Sequence, residues 1–375
     1  MTHDDDEAGT FSRSSTTAEP TGRPAELSQP TWFEVDDFSS YTLVIDARTP
    51  REFAADHVPG AINLPVVSDA EFAEVGTLHA VNPHSAYLVG ARYALHNIAT
   101  HLEARISRYG RDARFLVYCF RGGKRSKVWA DMLRNIGYRT DVVKGGWKAY
   151  RSWVRAGLES APAKYRYRVI SGLTGCGKTL LLQELKAQGE QVLDLEDLAA
   201  HRGSLIGALP DRSQPTQKMF DSNLFSLLRS FDIRRTVWVE AESKKIGRLQ
   251  IPQSIYEAIQ TSPLVEVTSP MEARIRVLRQ TYPNYVLDPE SMVRQLAPLK
   301  PLIGNEELQC WQQLAKTHQV DKLFERVLVA HYDPSYVRSS RKGSRPYSSE
   351  HLRLDPTDTN QLRDAASSLT SASNT

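Results

Sequence analysis

The chain has 375 residues, 41% hydrophobic and 24% charged, and this length predicts about two domains of an ordinary soluble protein. No apolar run approaches the roughly 20 residues that cross a bilayer, and the acidic N-terminus differs from a secretory signal. We therefore expect a cytoplasmic protein with no membrane partner. Three cysteines, Cys119, Cys176 and Cys310, argue against a disulfide framework, and their spacing does not match a zinc site.

Charge is distributed unevenly along the chain. Residues 1–30 carry a net charge of −4 and few large apolar side chains, which predicts a disordered acidic tail. From Arg111 to Arg168 there are fifteen Lys/Arg and four Asp/Glu, a net charge of +11. So basic a block indicates a polyanion partner. A solvated surface with scattered charges is the simpler alternative.

Apolar runs and helical periodicity predict the elements in chain order. In residues 31–157, short apolar strands alternate with a helix that ends at Gly137, which predicts a parallel α/β sheet; the predicted strands are Tyr41–Ala47, Phe115–Tyr118 and Asp141–Val143. Gly157–Tyr165 is predicted to link this domain to a second one.

Residues 165–355 are predicted to form a second α/β domain whose C-terminal part is helical. Its predicted strands are Tyr167–Ile170, Gln191–Leu195 and Thr236–Val239, its first helix is Leu180–Ala187, and helices dominate from Ser269, including Met271–Gln280 and Asn305–Gln319. Residues 356–375 are expected to be a loose tail, with room for a short helix at Thr359–Ala366.

The segment VYCFRGGKRS places Cys119 at the end of a predicted strand, before a glycine loop and a helix. Backbone N–H groups and the helix dipole favour a thiolate there, and can hold a tetrahedral anion or a persulfide beside it. Cys119 is therefore the predicted catalytic residue. The rest of the predicted anion- or perselenide-binding loop comprises Arg121, Gly122, Gly123, Lys124, Arg125 and Ser126. The alternative is a buried structural cysteine.

Residues 45–65, IDARTPREFAADHVPGAINLP, resemble the opening signature of rhodanese domains, and Gly145-Gly146-Trp147 resembles their closing turn. The resemblance implies a rhodanese-like parallel-sheet domain whose loop cysteine carries sulfur as a persulfide. Asp46, Arg48 and His57 are interpreted as mainly structural. Five residues separate Cys119 from Arg125, a spacing typical of cysteine phosphatases, so a dual-specificity-type phosphatase is the alternative. Tyr118 stands where those enzymes typically have His.

The second motif is Gly172-Leu173-Thr174-Gly175-Cys176-Gly177-Lys178-Thr179, which matches G-x4-G-K-S/T between a predicted strand and helix. This pattern is typical of a P-loop NTPase-like domain, in which backbone N–H groups wrap a diphosphate. The predicted diphosphate-binding residues are Gly172, Thr174, Gly175, Gly177, Lys178 and Thr179. Thr179 is the candidate Mg²⁺ ligand, although the sequence specifies no definite metal site.

A carboxylate is expected at the end of a neighbouring strand. Glu240 after TVWV is the best candidate, with Asp194 and Glu196 as rivals, and an ordinary exposed strand-end carboxylate is the simpler interpretation. Cys176 is interpreted as a small packing residue within the loop and Cys310 as a helix core residue.

The order of the two motifs, YCFRGGKRS and then GLTGCGKT, resembles the tRNA 2-selenouridine synthase family over nearly the whole folded chain. Three further stretches match: residues 73–77 (AEVGT), 192–204 (VLDLEDLAAHRGS) and 239–247 (VEAESKKIG). The resemblance implies a transferase that converts wobble 2-thiouridine of tRNA to 2-selenouridine, with selenophosphate as donor. It also implies S-geranylation from geranyl diphosphate as the preceding step.

On this interpretation the P-loop binds the diphosphate of the prenyl donor, and Cys119 receives selenium as a perselenide held by Arg121 and Arg125. The basic block contacts the tRNA backbone, and a selenophosphate-producing enzyme is a further candidate partner. No tightly bound cofactor is expected, and selenophosphate, geranyl diphosphate and Mg²⁺ are the expected small ligands. The alternative function is a cysteine phosphatase or sulfurtransferase fused to a P-loop kinase-like domain.

Overall fold

The computed structural model describes residues 30, 38–342 and 350–373. The predicted disordered tail, residues 1–30, lies outside the described residues except for Pro30. In the described part, no helix is both long enough and apolar enough to cross a membrane.

The first domain is built on a four-stranded parallel sheet with the strand order β2-β1-β3-β4. Buried apolar side chains on the central strands, such as Ile45 and Phe115, form its core. Its elements in chain order are β1 (Leu43–Asp46), α1 (Pro50–Ala55), β2 (Ile62–Asn63), α2 (Asp69–Val81), α3 (Pro83–His101), β3 (Arg114–Tyr118), α4 (Lys124–Ile136), β4 (Arg139–Val142) and α5 (Gly146–Ser160).

The second domain is built on a five-stranded parallel sheet with the order β11-β10-β5-β7-β6. Its elements up to the last central strand are β5 (Arg166–Ser171), α6 (Lys178–Ala187), β6 (Gln191–Leu193), α7 (Leu195–Ala199), α8 (Gln217–Ser230), β7 (Thr236–Glu240), the antiparallel pair β8 (Lys245–Ile246) and β9 (Leu249–Gln250), α9 (Gln253–Thr261) and β10 (Leu264–Thr268).

A helical part follows and forms its own apolar core around Trp311 and Leu323. Its helices are α10 (Met271–Thr281), α11 (Pro283–Leu287), α12 (Pro289–Leu296), α13 (Lys300–Ile303), α14 (Asn305–Lys316), α15 (Val320–Val327) and α16 (Asp333–Lys342). The chain then returns to the sheet as β11 (Glu350–Arg353) and ends in α17 (Thr359–Ser373).

The sheet orders agree with the predicted fold class: one parallel α/β domain precedes a second one that carries a helical part. Helix α4 ends at Gly137, whose φ of 105° is a left-handed cap. The sheet of each domain brings the carboxyl ends of its parallel strands to one edge, where the cysteine loop (Cys119–Ser126) follows β3 and the P-loop (Gly172–Thr179) follows β5.

The structure corrects one expectation. In the predicted link Gly157–Tyr165, α5 continues to Ser160 and a 3-10 turn, Pro162–Lys164, leads directly into β5. The predicted loose tail is mostly helix: α17 begins at Thr359, where a short helix was expected, and continues to Ser373. Leu362, Ala366 and Leu369 recur at helical spacing and are buried against α6, so packing on α6 orders this segment.

Candidate functional site

The cysteine loop is a small anion cradle at the start of α4. The Sγ atom of Cys119 accepts a hydrogen bond from the Gly123 N–H at 3.2 Å and lies 3.2 Å from the Ser126 Oγ. The Ser126 hydroxyl in turn donates to the Gly123 carbonyl at 3.1 Å. The thiol is only 3% exposed. One backbone N–H at a helix N-terminus therefore points at the sulfur, and the Ser126 hydroxyl oxygen, whose hydrogen is used elsewhere, can accept from the thiol.

The closing glycine turn holds the cysteine loop from behind. The Trp147 N–H donates to the Cys119 carbonyl at 2.8 Å, and the Lys148 N–H donates to the Phe120 carbonyl at 3.0 Å. Gly146 has a φ of 53°, and a Cβ atom there would lie 2.2 Å from the Cys119 carbonyl oxygen. Only glycine allows this close approach of the two turns.

The cations of the loop have individual partners. The Arg125 guanidinium forms an ion pair with Glu52 of α1, with an Nη1–Oε2 distance of 2.6 Å, so it is not a free ligand for an anion at Cys119. The Lys124 ammonium lies 3.5 Å from the centre of the Tyr87 ring on α3. Arg121 is exposed, with its guanidinium 5.7 Å from the Phe120 ring. The helical hairpin α2–α3 thus flanks the loop, which the sequence did not indicate.

The signature residues of the first domain are structural, as the sequence predicts. Arg48, 1% exposed, forms an ion pair with Asp46 at 2.6 Å and donates to the Asp56 carbonyl at 2.6 Å. The His57 ring nitrogen Nδ1 lies 2.9 Å from the Phe53 carbonyl. These contacts fix the segment after β1 beneath the cysteine loop.

The P-loop joins β5 to α6 and uses three glycines with positive φ: 147° at Gly172, 83° at Gly175 and 85° at Gly177. The helical part braces it. The buried Arg274 of α10 donates to the Thr174 carbonyl at 2.9 Å and forms an ion pair with Asp333 of α16 at 2.6 Å. Within the loop, the Gly172 N–H donates to the Tyr336 hydroxyl at 2.7 Å and the Cys176 N–H donates to the Leu173 carbonyl at 3.3 Å, so two of its amides are already used.

Lys178 and Thr179 both contact Glu240 at the end of β7. The Thr179 hydroxyl donates to Glu240 Oε2 at 3.0 Å, and the Lys178 Nζ lies 3.4 Å from Glu240 Oε1. Burial acts to lower the pKa of Lys178, but the neighbouring acidic groups, Glu240 first, outweigh it and raise the pKa. The ammonium therefore stays charged.

Two further acids join Glu240 in a carboxylate cluster of Glu196, Glu240 and Glu242, whose oxygens lie within 4.8 Å of one another. Burial and then the Glu240 charge raise the pKa of Glu196 to about 10 and that of Glu242 to about 8. Three oxygen donors this close fit a hard cation such as Mg²⁺, which would relieve their mutual repulsion.

Two further residues that the sequence brought forward, Asp194 and Cys176, have structural roles. Asp194 accepts a hydrogen bond from the Asp197 N–H at 2.9 Å and so caps α7. Glu242 received no role from the sequence, although its place two residues after the strand-end Glu240 was a usable signal. The Cys176 thiol is 1% exposed and donates to the Leu173 carbonyl at 2.6 Å, and burial raises its pKa, which fits a packing residue.

A buried contact connects the two domains. The Asp56 carboxylate accepts hydrogen bonds from the Trp147 indole at 2.8 Å and from the Ser222 hydroxyl of α8 at 2.7 Å. Arg151 of α5 donates to Ser222 Oγ at 2.9 Å and forms an ion pair with Asp221 at 2.9 Å. The turn behind Cys119 is therefore bonded to the P-loop domain.

Comparisons with known proteins match both domains. A family model described as "tRNA 2-selenouridine synthase AAA domain" matches residues 165–301, and one described as "Rhodanese-like domain" matches residues 31–152. Among solved structures, a rhodanese-related protein from Thermoplasma volcanium is 19% identical, with a TM-score of 0.22, covering 34% of this chain and 92% of that one.

Relatives named tRNA 2-selenouridine synthase match the chain across the two domains. The protein from Chromohalobacter salexigens is 36% identical over 241 residues, which are 64% of this chain and 64% of that protein. The protein from Cupriavidus pinatubonensis is 33% identical in an alignment of length 343 that covers 81% of this chain and 90% of that protein. Since this second match spans both loops and most of both proteins, the chain belongs to the tRNA 2-selenouridine synthase family.

Proposed function

We propose that the protein is a tRNA-modifying transferase that converts wobble 2-thiouridine to 2-selenouridine by way of an S-geranylated base. One observation supports the proposal: a single chain of this family contains two different loops. One loop surrounds the Cys119 thiol, and the other is a P-loop that ends against a carboxylate cluster. Two different anionic donors, geranyl diphosphate and selenophosphate, would need two different anion sites.

In the first step the P-loop binds geranyl diphosphate. The thiocarbonyl sulfur forms a bond to the first carbon of the geranyl chain, the carbon–oxygen bond breaks, and diphosphate leaves with the electron pair. The base releases its N3 proton, so the geranylated base is neutral. Lys178 and the loop amides stabilise the negative charge that develops on that leaving group. Glu240, Glu242 and Thr179 would hold Mg²⁺, which neutralises diphosphate charge when bound.

In the second step the cysteine loop binds the tetrahedral oxyanion of selenophosphate through Arg121 and Lys124, while the Gly123 amide stays bonded to the Cys119 Sγ. A selenium lone pair forms the bond to C2 of the base, and the C2–S bond breaks as geranyl thiolate leaves. Water then cleaves the P–Se bond and phosphate is released. Conversion of the thiocarbonyl to a thioether makes sulfur the better leaving group, which explains the order of the steps.

Cys119 contributes to the second step as a thiol in contact with the selenium donor. Selenophosphate and the selenated base both carry selenium as selenide. The perselenide that sequence reasoning suggested would therefore require a two-electron oxidant, and none belongs to this reaction. We accordingly assign Cys119 to binding and orientation of the selenium donor in this scheme.

The macromolecular substrate in this proposal is tRNA, and a selenophosphate-producing enzyme is its natural supplier of donor. The phosphatase alternative was suggested by the five residues between Cys119 and Arg125. It is less well supported, because the Arg125 guanidinium is paired with Glu52. No observation favours the kinase alternative.

The test is mass spectrometry of nucleosides from a 2-thiouridine tRNA incubated with protein, geranyl diphosphate and selenophosphate. We expect selenium at the wobble base with the wild type, an accumulated geranylated base with Cys119→Ala, and unchanged 2-thiouridine with Lys178→Ala. Cys310→Ala, which changes a thiol outside both loops, is the matched control and should retain both steps. An unchanged nucleoside profile in the wild type would refute the proposal, and ATP turnover required for selenation would refute the P-loop assignment.

A further inference from the structure

An interdomain groove of about 650 Å³ lies between α5 of the first domain and the β8–β9 pair of the second. Its polar lining includes Arg155, Glu159, Gln217, Lys244, Arg248 and Gln250. Neither the cysteine loop nor the P-loop contributes a residue to it. The groove is therefore a surface of the two-domain arrangement that the chemistry described above does not use.

The charge of the groove is mainly basic. Arg155, Lys244 and Arg248 are exposed, and none of them forms an ion pair with any described residue. Of the two acids in the lining, Asp221 is already neutralised by Arg151, at 2.9 Å, so only Glu159 opposes three cations. These cations have no acidic partners and lie beside glutamine side chains. Such a lining is better suited to the phosphates and sugars of a nucleic-acid strand than to a neutral or cationic ligand.

The groove is close to both reactive loops along the chain. Arg155 lies eight residues beyond Trp147, whose N–H binds the Cys119 carbonyl, which is about 12 Å along helix α5. Lys244 follows Glu240 by four residues, so it lies no more than about 14 Å from the carboxylate cluster. A strand bound in the groove is thus within a few nucleotides of either site.

We propose that this groove binds the sugar–phosphate backbone of the tRNA anticodon arm, with Arg155, Lys244 and Arg248 contacting phosphates next to the wobble nucleotide. The choice of RNA as ligand rests on the proposed function. This location would let one docked RNA present the same base first to the P-loop domain and then to Cys119. Helix α5, on one side of the groove, begins at the turn behind Cys119, and the β8–β9 pair, on the other side, follows β7 and the carboxylate cluster.

The test measures binding of the full-length protein to a labelled anticodon stem-loop with an unmodified wobble uridine, as a function of KCl concentration. Each phosphate contact contributes about 0.7 to 0.9 to the slope of log affinity against log salt. Lys244→Ala should therefore reduce the slope by about that amount, and Arg155→Ala combined with Lys244→Ala by about twice as much. Glu159→Lys should change it in the opposite direction, giving steeper and tighter binding.

Lys316→Ala is the matched control, because Lys316 is an exposed cation on α14, outside the groove. A wild-type slope in the double variant, or an equal loss in Lys316→Ala, would overturn the proposal. The binding assay does not depend on catalysis. It can therefore refute RNA binding in the groove independently of the proposed transferase function. Wild-type protein that binds through the groove but leaves 2-thiouridine unchanged would contradict the proposed function and leave the groove in place.

Discussion

At the residue scale, Glu52 links the first helix to the cysteine loop. It completes a capping box by accepting the Thr49 N–H at 3.0 Å, and its other interaction is the ion pair with Arg125. Burial acts to raise the pKa of Glu52, but the hydrogen bond and charge of Arg125 outweigh it, so the pKa lies below its usual range. The ionised form is therefore the one that stabilises the fold.

We expect Glu52→Gln to lower the free energy of unfolding by about 0.5–1 kcal/mol at pH 7, because the pair is partly exposed. A lowered folded-state pKa contributes stability that is present above the unfolded value of about 4.3 and is lost as pH falls through the folded value. Urea unfolding at pH 7 and at pH 3.5 should show the difference between wild type and variant shrinking in acid. Glu325→Gln, an exposed acid on α15, is the control, and a difference that grows in acid would contradict the prediction.

The close contacts of Gly146 lead to a second prediction, which concerns the stability of the turn behind the cysteine loop. Gly60 has a similar positive φ, 82°, but a Cβ atom there would meet nothing within 4 Å, so Gly60→Ala isolates the backbone strain of about 1–2 kcal/mol. Gly146→Ala adds a collision with the Cys119 carbonyl, and we expect an additional loss of about 1–2 kcal/mol or more. It should also speed alkylation of Cys119 by iodoacetamide. Equal effects of the two variants would show that the turn does not hold the loop.

At the element scale, the C-terminal helix belongs to the P-loop domain. α17 buries Leu362 and Leu369 against α6, the helix that follows the P-loop. Pro356 lies against the loop itself, because a Cβ atom on Gly177 would come within 2.2 Å of its side chain. The last described segment therefore supports the P-loop from outside.

Leu362→Ala should lower the free energy of unfolding by about 2–4 kcal/mol, since it removes a side chain that is 7% exposed from an apolar cluster. Arg363→Ala, at the next and exposed position of the same helix, should change it by less than about 0.5 kcal/mol. Chemical denaturation of both variants checks this. Equal, small effects would mean that α17 does not pack as described.

At the scale of the whole molecule, the domains share a buried polar contact. Asp56 is 0% exposed and Ser222 is 0% exposed, and Arg151 at 7% donates to the second domain from the first. Burial raises the pKa of Asp56 although Ser222, Arg151 and Trp147 act to lower it. Satisfied polar groups of this kind fix one relative placement of two surfaces.

Arg151→Ala leaves Asp56 and Asp221 without their cation, and we expect a loss of about 3–5 kcal/mol. Calorimetry should show the single transition of the wild type separating into two, because the domains would lose their coupling. Arg155→Ala, one turn further along α5 and exposed, should keep the single transition. Separation in both variants, or in neither, would contradict this account of the interface.

The sequence by itself determined the two reactive loops and the fold class. Strand, glycine loop and helix follow one another within about ten residues at both sites, and such local order is encoded by apolar runs, glycine spacing and caps. Cys119 and Lys178 can therefore be predicted as site residues before any tertiary contact is known. Glu240 could be proposed for the same reason, because it ends an apolar strand.

Only the tertiary structure decided the partners of these residues. Arg125 pairs with Glu52, 73 positions away; Glu196 and Glu242 converge on Glu240; and Asp56 meets Ser222 across 166 positions. Contacts between distant segments depend on which surfaces pack together, and no local pattern records that choice. Tertiary packing also decided the extent of α17, because the apolar residues of this helix are buried by contact with α6.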